Sequence, residues 1–296
     1  MEDFSTLLNK LSQSNFPSAI GGCKNYKHNF DCCEYNITIF NDYYHDDIVI
    51  QTYDGYMIKL HHGSIGDTRS NILILCDDMK IINDPNWDLK IFLSKINKNM
   101  DKISNDHIKN CLINSIFYAI KTKFCIKSSD PYSPFWKKCS ALFILDALLI
   151  INSCKLSPTH ILEYAHNFKY NKINSQLSIL NDCMGIERAT TSLLSRMYKS
   201  TICLSAQLQK NDSKIIQAKY NYMIKNSLLS NCYLYLVYIN RKNLLELEPV
   251  LHNNTHIYYM LKNGFDIENN VLEIFKQAEI IQNVANDLLN HHSRIW

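Results

Sequence analysis

Residues 20–40, Ile20-Gly-Gly-Cys-Lys-Asn-Tyr-Lys-His-Asn-Phe-Asp-Cys-Cys-Glu-Tyr-Asn-Ile-Thr-Ile-Phe40, decide how the first third of the chain reads. A short apolar run, Ser18-Ala19-Ile20, enters two glycines. A dozen residues later, Tyr35 to Phe40 is rich in β-branched and aromatic residues with an alternating pattern. That period of two belongs to an extended strand. Gly21-Gly22 then reads as the turn that ends one strand and opens the polar connection to the next.

Outward from this stretch the pattern continues. Phe4, Leu7, Leu8 and Leu11 fall at helical spacing before Asn15 and Pro17, which predicts an amphipathic helix over 3–14. Ile48 to Thr52, the turn Asp54-Gly55, and Tyr56 to His62 read as a hairpin. Asn71 to Cys76 suits helix or strand, Lys80 to Ile82 a short strand ending at Asn83-Asp84-Pro85, and Trp87 to Ile96 a helix. From about residue 104 the period becomes 3.6. Leu112, Ile116 and Ile120 are placed on one face of a first helix. Pro134 to Ser153 forms a second, apolar nearly all round, and Ser157-Pro158 opens a third that runs through Phe168. Further helices are expected at about 173–183, 187–200, 213–239, 249–263 and 267–290. The expected fold class is α+β: a mixed sheet with helices over residues 1–100, then an all-α helical bundle over 101–296.

Composition narrows the function classes. The 296 residues are 46% hydrophobic and 20% charged, a globular balance. With 31 basic and 28 acidic residues the net charge is only +3, so no bulk field selects nucleic acid or membrane and any basic site must be local. The longest apolar stretch, Ala141 to Ile151, contains Asp146 and falls short of the roughly 20 residues a membrane helix needs. Eleven cysteines without a repeated CxxC or Cys/His zinc spacing, behind a start lacking basic and apolar leader regions, read as a reduced cytoplasmic protein.

The order helix, strand, Gly-Gly, strand, hairpin strand and short strand, followed by a helical half, resembles the nucleotidyltransferase superfamily of the kanamycin-nucleotidyltransferase and minimal-nucleotidyltransferase type over about residues 3–97. The resemblance implies that Gly21 and Gly22 hold nucleotide phosphate. Two positions on the next strand, here Glu34 and Asn36, would take the family's metal-binding carboxylate pair, with a third carboxylate on a neighbouring strand and Mg²⁺ as cofactor. Glu34 keeps a carboxylate for metal, Asn36 offers a neutral carbonyl, and Tyr56 to His62 supplies Lys59, His61 and His62 but no acid. A shifted register would draw on Asp31 and Cys33, or on Asp42, Asp46 and Asp47. Two functions follow from the resemblance. One is transfer of a nucleotidyl group from a nucleoside triphosphate to a hydroxyl acceptor. The other is a degenerate, non-catalytic protein that binds nucleotide, RNA or a protein partner through the same cleft.

Lys59 and His61 alternate on one strand face and are expected to point toward Lys24, Lys27 and His28. That makes either an anion pocket able to hold phosphate without metal or a solvated loop. Cys32, Cys33, His28, His61 and His62 hold zinc-type donors, with buried free thiols as the plain alternative. Cys23 with His61 could form a nucleophilic pair. In the helical half, Asp130, Trp136 and Lys137 read as a loop and helix start or as a second-substrate surface, and Asp146 needs a partner if buried. Arg188, Arg196 and Lys199 share one face of the helix expected at 187–200, as a solvated face or an anion clamp. Helical domains that accompany minimal nucleotidyltransferases often belong to the HEPN class, whose ribonuclease members carry Arg-x4–6-His, but no Arg here has a His at that downstream spacing. The tyrosines of 213–239 surround more than one face and read as bundle core and rim.

Overall fold

A computed structural model of the chain describes residues 4–26, 29–42, 49–53, 55–267 and 269–295. Lys27, His28, Asp46, Asp47 and Asp54 lie outside the described residues. The element order is α1 (Phe4–Ser12), β1 (Ser18–Gly21), β2 (Tyr35–Phe40), β3 (Val49–Tyr53), β4 (Tyr56–Gly63), α2 (Ser70–Leu73), β5 (Lys80–Asn83), α3 (Asp88–Lys98), α4 (Met100–Lys127), α5 (Ser133–Ile151), α6 (Ile161–His166), α7 (Gln176–Met184), α8 (Thr191–Gln207), α9 (Ser213–Lys225), α10 (Leu229–Leu247), α11 (Thr255–Phe265) and α12 (Val271–Ile295). The fold is α+β, a five-stranded mixed sheet near the N-terminus followed mostly by helices. The chain divides into two compact units, Met1–Asp106 with Gln209–Tyr222, and His107–Leu208 with Met223–Trp296. A segment from the helical half thus returns to the first unit.

In the first unit the strand order is β3-β4-β2-β1-β5, with β2 and β4 parallel and the other neighbours antiparallel. Alternation along the strands gives each face its own core. On one face Ile37, Ile58 and Tyr53 pack with Leu7 and Leu11 of α1. On the other, Ala19 and Phe40 pack with Leu89, Phe92, Leu93 and Ile96 of α3. At roughly 25 cal/mol per Å² of apolar surface, each fully buried Ile or Leu contributes about 1.5–3 kcal/mol, which is what fixes the register. The turn at Asp84 starts α3 by its side chain, which accepts from the amides of Leu89 (3.2 Å) and Lys90 (2.8 Å). The stretch Asn71 to Cys76 is helical, α2 running into a 3-10 turn at Ile74–Cys76.

The second unit is helical. α5 is buried along nearly its whole length, as its all-round apolar sequence demands, and Tyr233, Tyr235 and Tyr238 of α10 are buried core. Asp146 has its expected partner: Arg241 Nη2 lies 2.8 Å from Asp146 Oδ2, and the guanidinium sits over the rings of Phe143 and Tyr238. Three expectations need correction. The helix expected at 213–239 is two, α9 and α10, because Ser227 adopts a left-handed conformation (φ 59°) that ends the first. The helix expected from Ser157 starts only at Ile161 and stops at His166, since residues 157–160 form turns. Ile120 of α4 is exposed while Leu112 is fully buried, so those two do not share an inward face.

Candidate functional site

The registers place the site residues in rows across the sheet. Gly21 of β1 pairs with Asn36 of β2, and Asn36 with Lys59 of β4; the next row is Ala19, Thr38 and His61. Paired strand residues share a face, so Gly21, Asn36 and Lys59 lie side by side, with His61 one row further along. Glu34 precedes β2 by one residue and falls on the same side as Asn36 by the period of two.

The glycine turn is a close approach between strands. Gly22 has φ 91° and ψ 169°, a conformation essentially reserved for glycine, and a Cβ there would stand 2.8 Å from the Asn36 amide nitrogen. The amides that follow are engaged within the protein: Lys24 N donates to the Glu34 carbonyl (3.3 Å), Asn25 N to Gly22 (3.0 Å) and Tyr26 N to Cys23 (3.1 Å). An anion at this turn would therefore be held chiefly by side chains.

The side chain that sequence reading missed is Lys219, on α9 in the segment that returns to the first unit. Its Nζ lies 2.6 Å from Glu34 Oε2, with only 5% of the lysine and 12% of the glutamate side chain exposed. The returning segment is also held by Phe30 against Tyr222, ring centroids 5.2 Å apart. Burial alone would raise the Glu34 carboxyl, but the Lys219 ammonium beside it, with help from Lys59, holds it below the usual carboxylate range. Cys23 Sγ lies 3.6 Å from the same carboxylate oxygen.

Lys59 is the remaining charge. Burial depresses its ammonium; the charge of Glu34 offsets this in part, while Lys219 and Lys210 add to it and Asp212 opposes it. Among the described residues no carboxylate makes a direct ion pair with Lys59. Two buried acceptors, Asn36 Oδ1 in the same row and Asp212 Oδ1, whose charge acts on Lys59, have no hydrogen-bond partner among the described residues. Lys24 goes elsewhere: its Nζ sits 5.9 Å from the centroid of Tyr56, within the aromatic group of Phe4, Tyr35 and Tyr56. The structure thus brings Gly21, Gly22, Glu34, Asn36 and Lys59 together and turns Lys24 toward an aromatic cluster.

As a metal centre this donor set fits poorly. Hard divalent ions take oxygen ligands and rely on carboxylate charge. Here one carboxylate is held by a lysine, the second position is a carboxamide, and the neighbouring strand supplies an ammonium. Within this unit no three His, Cys, Asp or Glu side chains among the described residues converge on a common point. Asp31 and Asp42 are exposed. The cysteines are free thiols. Contact with Cys23 lowers the Cys33 thiol, but Cys32 and burial outweigh it and push it up to about 12.

The second unit's candidates have structural partners. Asp130 Oδ1 accepts from the Tyr132 amide at 2.9 Å; Trp136 is buried and stacks on Tyr118; Lys137 Nζ donates to Gln277 Oε1 at 2.5 Å. Burial lowers the Lys137 ammonium to about 8. Lys138, fully buried, donates to Tyr233 Oη, Phe265 O and Asp266 O and so caps the C-terminus of α11. Arg188 does not share a helix face with Arg196 and Lys199. It lies in a 3-10 turn before α8, with Nε 3.0 Å from Asp266 Oδ2, while Arg196 and Lys199 are exposed on α8.

The chain was compared with protein-family models, curated proteins and solved structures, and none of them matches it. Among the described residues no helix is long and apolar enough to cross a membrane.

Proposed function

We propose that the first unit is a non-catalytic relative of the nucleotidyltransferases that binds the phosphate groups of a nucleotide without a divalent metal. The observation that carries this reading is the charge arrangement around Glu34. Lys219 at 2.6 Å already neutralises the carboxylate that would serve the metal, and Lys59, desolvated by burial and opposed by Asp212 without an ion pair to it, is left beside it as a surplus ammonium. A half-buried cation without a direct counter-ion is stabilised by an incoming anion, and a phosphate oxygen is the ligand that the order of elements suggests. Lys59 supplies the charge and Asn36, one strand over, a carboxamide able to donate to a phosphate oxygen. The parallel pairing of β2 with β4 sets these two side chains in one row, and Gly22 lets β1 approach Asn36 closely.

Calorimetric titration with ATP, GTP, CTP and UTP, with Mg²⁺ and again in EDTA, tests this directly. Binding that persists in EDTA, disappears in Lys59→Met and survives Glu34→Gln is the expected result. Binding that requires Mg²⁺ and vanishes in Glu34→Ala would overturn it in favour of nucleotidyl transfer with Glu34 as metal ligand. No binding to any nucleotide would overturn both and leave RNA or a protein as the partner.

A further inference from the structure

The 28-residue helix α4 is apolar on two sides. Ile108, Leu112, Ala119 and Cys125 face inward and are buried, yet Ile113, Phe117, Ile120 and Phe124 are 54%, 55%, 49% and 68% exposed. These four are spaced 4, 3 and 4 residues apart, and the same alternation continues outward to Asn110 and Asp106 on one side and Lys127 on the other. A 4-3 alternation is the seam of a helix that packs lengthwise on another helix, and such a seam is not satisfied by water. It covers about 17 Å of helix at 1.5 Å per residue.

We infer that this seam is a self-association surface, on which α4 of a second copy packs antiparallel. The charges choose the direction. Asp106 and Lys127, both exposed, stand at opposite ends of the seam. A parallel pair would set Asp106 on Asp106 and Lys127 on Lys127. An antiparallel pair brings Lys127 over Asn110, one turn from the partner's Asp106, and also opposes the two helix dipoles. In that arrangement Ile113 meets Phe124 and Phe117 meets Ile120, so every aromatic knob faces an isoleucine and the contact closes on itself by two-fold symmetry. At these exposures the four side chains offer roughly 400 Å² per copy, about 800 Å² for the pair, below the roughly 1,000 Å² of a stable specific interface. The dimer is therefore weak and concentration-dependent. This inference does not rest on the reading of the first unit.

Sedimentation equilibrium of the full chain tests it. The weight-average mass should rise from the monomer's 34.5 kDa toward twice that value as concentration climbs from about 1 to about 100 µM. Phe117→Lys with Phe124→Lys should hold it at the monomer mass with an unchanged melting temperature, because both rings are half or more exposed. For direction, Ile113→Cys with Phe124→Cys, in a Cys203→Ser background that removes the exposed natural thiol, should form an intermolecular disulfide, and Ile113→Cys alone should not. A wild-type chain that stays monomeric at about 100 µM would overturn the second copy as occupant. A dimer indifferent to the lysine substitutions would overturn the surface, and cross-linking of the single variant would overturn the antiparallel direction.

Discussion

The ion pair between Glu34 and Lys219 makes an asymmetric prediction. Removing one partner of a buried pair usually costs about 3–5 kcal/mol, because an uncompensated charge is left behind. The two ends of this pair are not equivalent, however. In Lys219→Met the carboxylate keeps Lys59 as a neighbour, whose charge already acts on it, so the loss should stay near the cost of a charge-assisted hydrogen bond, about 1.5–3 kcal/mol. In Glu34→Gln, Lys59 and Lys219 face each other across a neutral amide, and Lys59, already depressed by burial, loses the one acid that most supports its charge. That variant should lose about 3–5 kcal/mol at neutral pH. Added anion should recover part of it, since a ligand present at 100 times its dissociation constant contributes about 2.7 kcal/mol. Urea unfolding in chloride buffer, read by hydrogen exchange of the β2 amides so that the first unit is followed alone, gives both numbers; repeating it with inorganic phosphate gives the recovery. If Lys219→Met costs as much as Glu34→Gln, or if phosphate stabilises Glu34→Gln no more than wild type, the surplus-cation argument is wrong.

Two further outcomes are expected. Gly22→Ala should destabilise the first unit by about 3 kcal/mol or more, since it adds the strain of a glycine-only conformation to a 2.8 Å approach on the Asn36 amide, measurable as a fall in the urea midpoint; a loss under 1 kcal/mol would mean β2 can move away. Alkaline pH should unfold the protein under reducing conditions. Burial pushes the thiols of Cys76, Cys125, Cys139 and Cys232 up to about 12, and Cys33 reaches the same value. A thiol whose folded value is raised contributes stability that is complete below its unfolded value of 9.0 and is lost as pH rises from there toward 12, on the order of 1 kcal/mol for a fully buried thiol by pH 10. Circular dichroism between pH 8 and 11 should show the transition, and a fold intact at pH 11 would contradict the burial of these groups.

The strands were legible because each is short, half-buried and bounded by a turn signal: Ile37 and Ile58 point to one core, Ala19 and Phe40 to the other, and the period of two carries that information residue by residue. The need of Asp146 for a partner was legible too, as the one acid in the apolar run Ala141 to Ile151, although nothing local named Arg241, 95 positions later in the chain. What stayed hidden were long-range events without a local signature. Ser227 ends α9 with neither glycine nor proline to announce it. Lys219 lies on a helix with Lys214 and Lys225, where a solvated face is the ordinary reading, and only the return of residues 209–222 to the first unit puts it against Glu34.

That return also explains why the carboxylate count alone was an incomplete guide to the site. A strand that presents one glutamate where two acids would be needed for metal leaves two outcomes: the lone carboxylate stays open to solvent and metal, or the protein buries it and supplies a counter-charge. Burying an ionised carboxylate without compensation is prohibitive. Once Glu34 is covered, its ionised form requires a cation in place, and a protein cation at 2.6 Å is present at every moment, whereas a free ion must dehydrate and then displace it. A metal at Glu34 would therefore have to compete with Lys219 for the carboxylate. The charged side chain in the row of Gly21 and Asn36 is that of Lys59. On the proposed reading, Lys59 and Lys219 together make this position a place for an anion where a set of carboxylates would make it one for a cation.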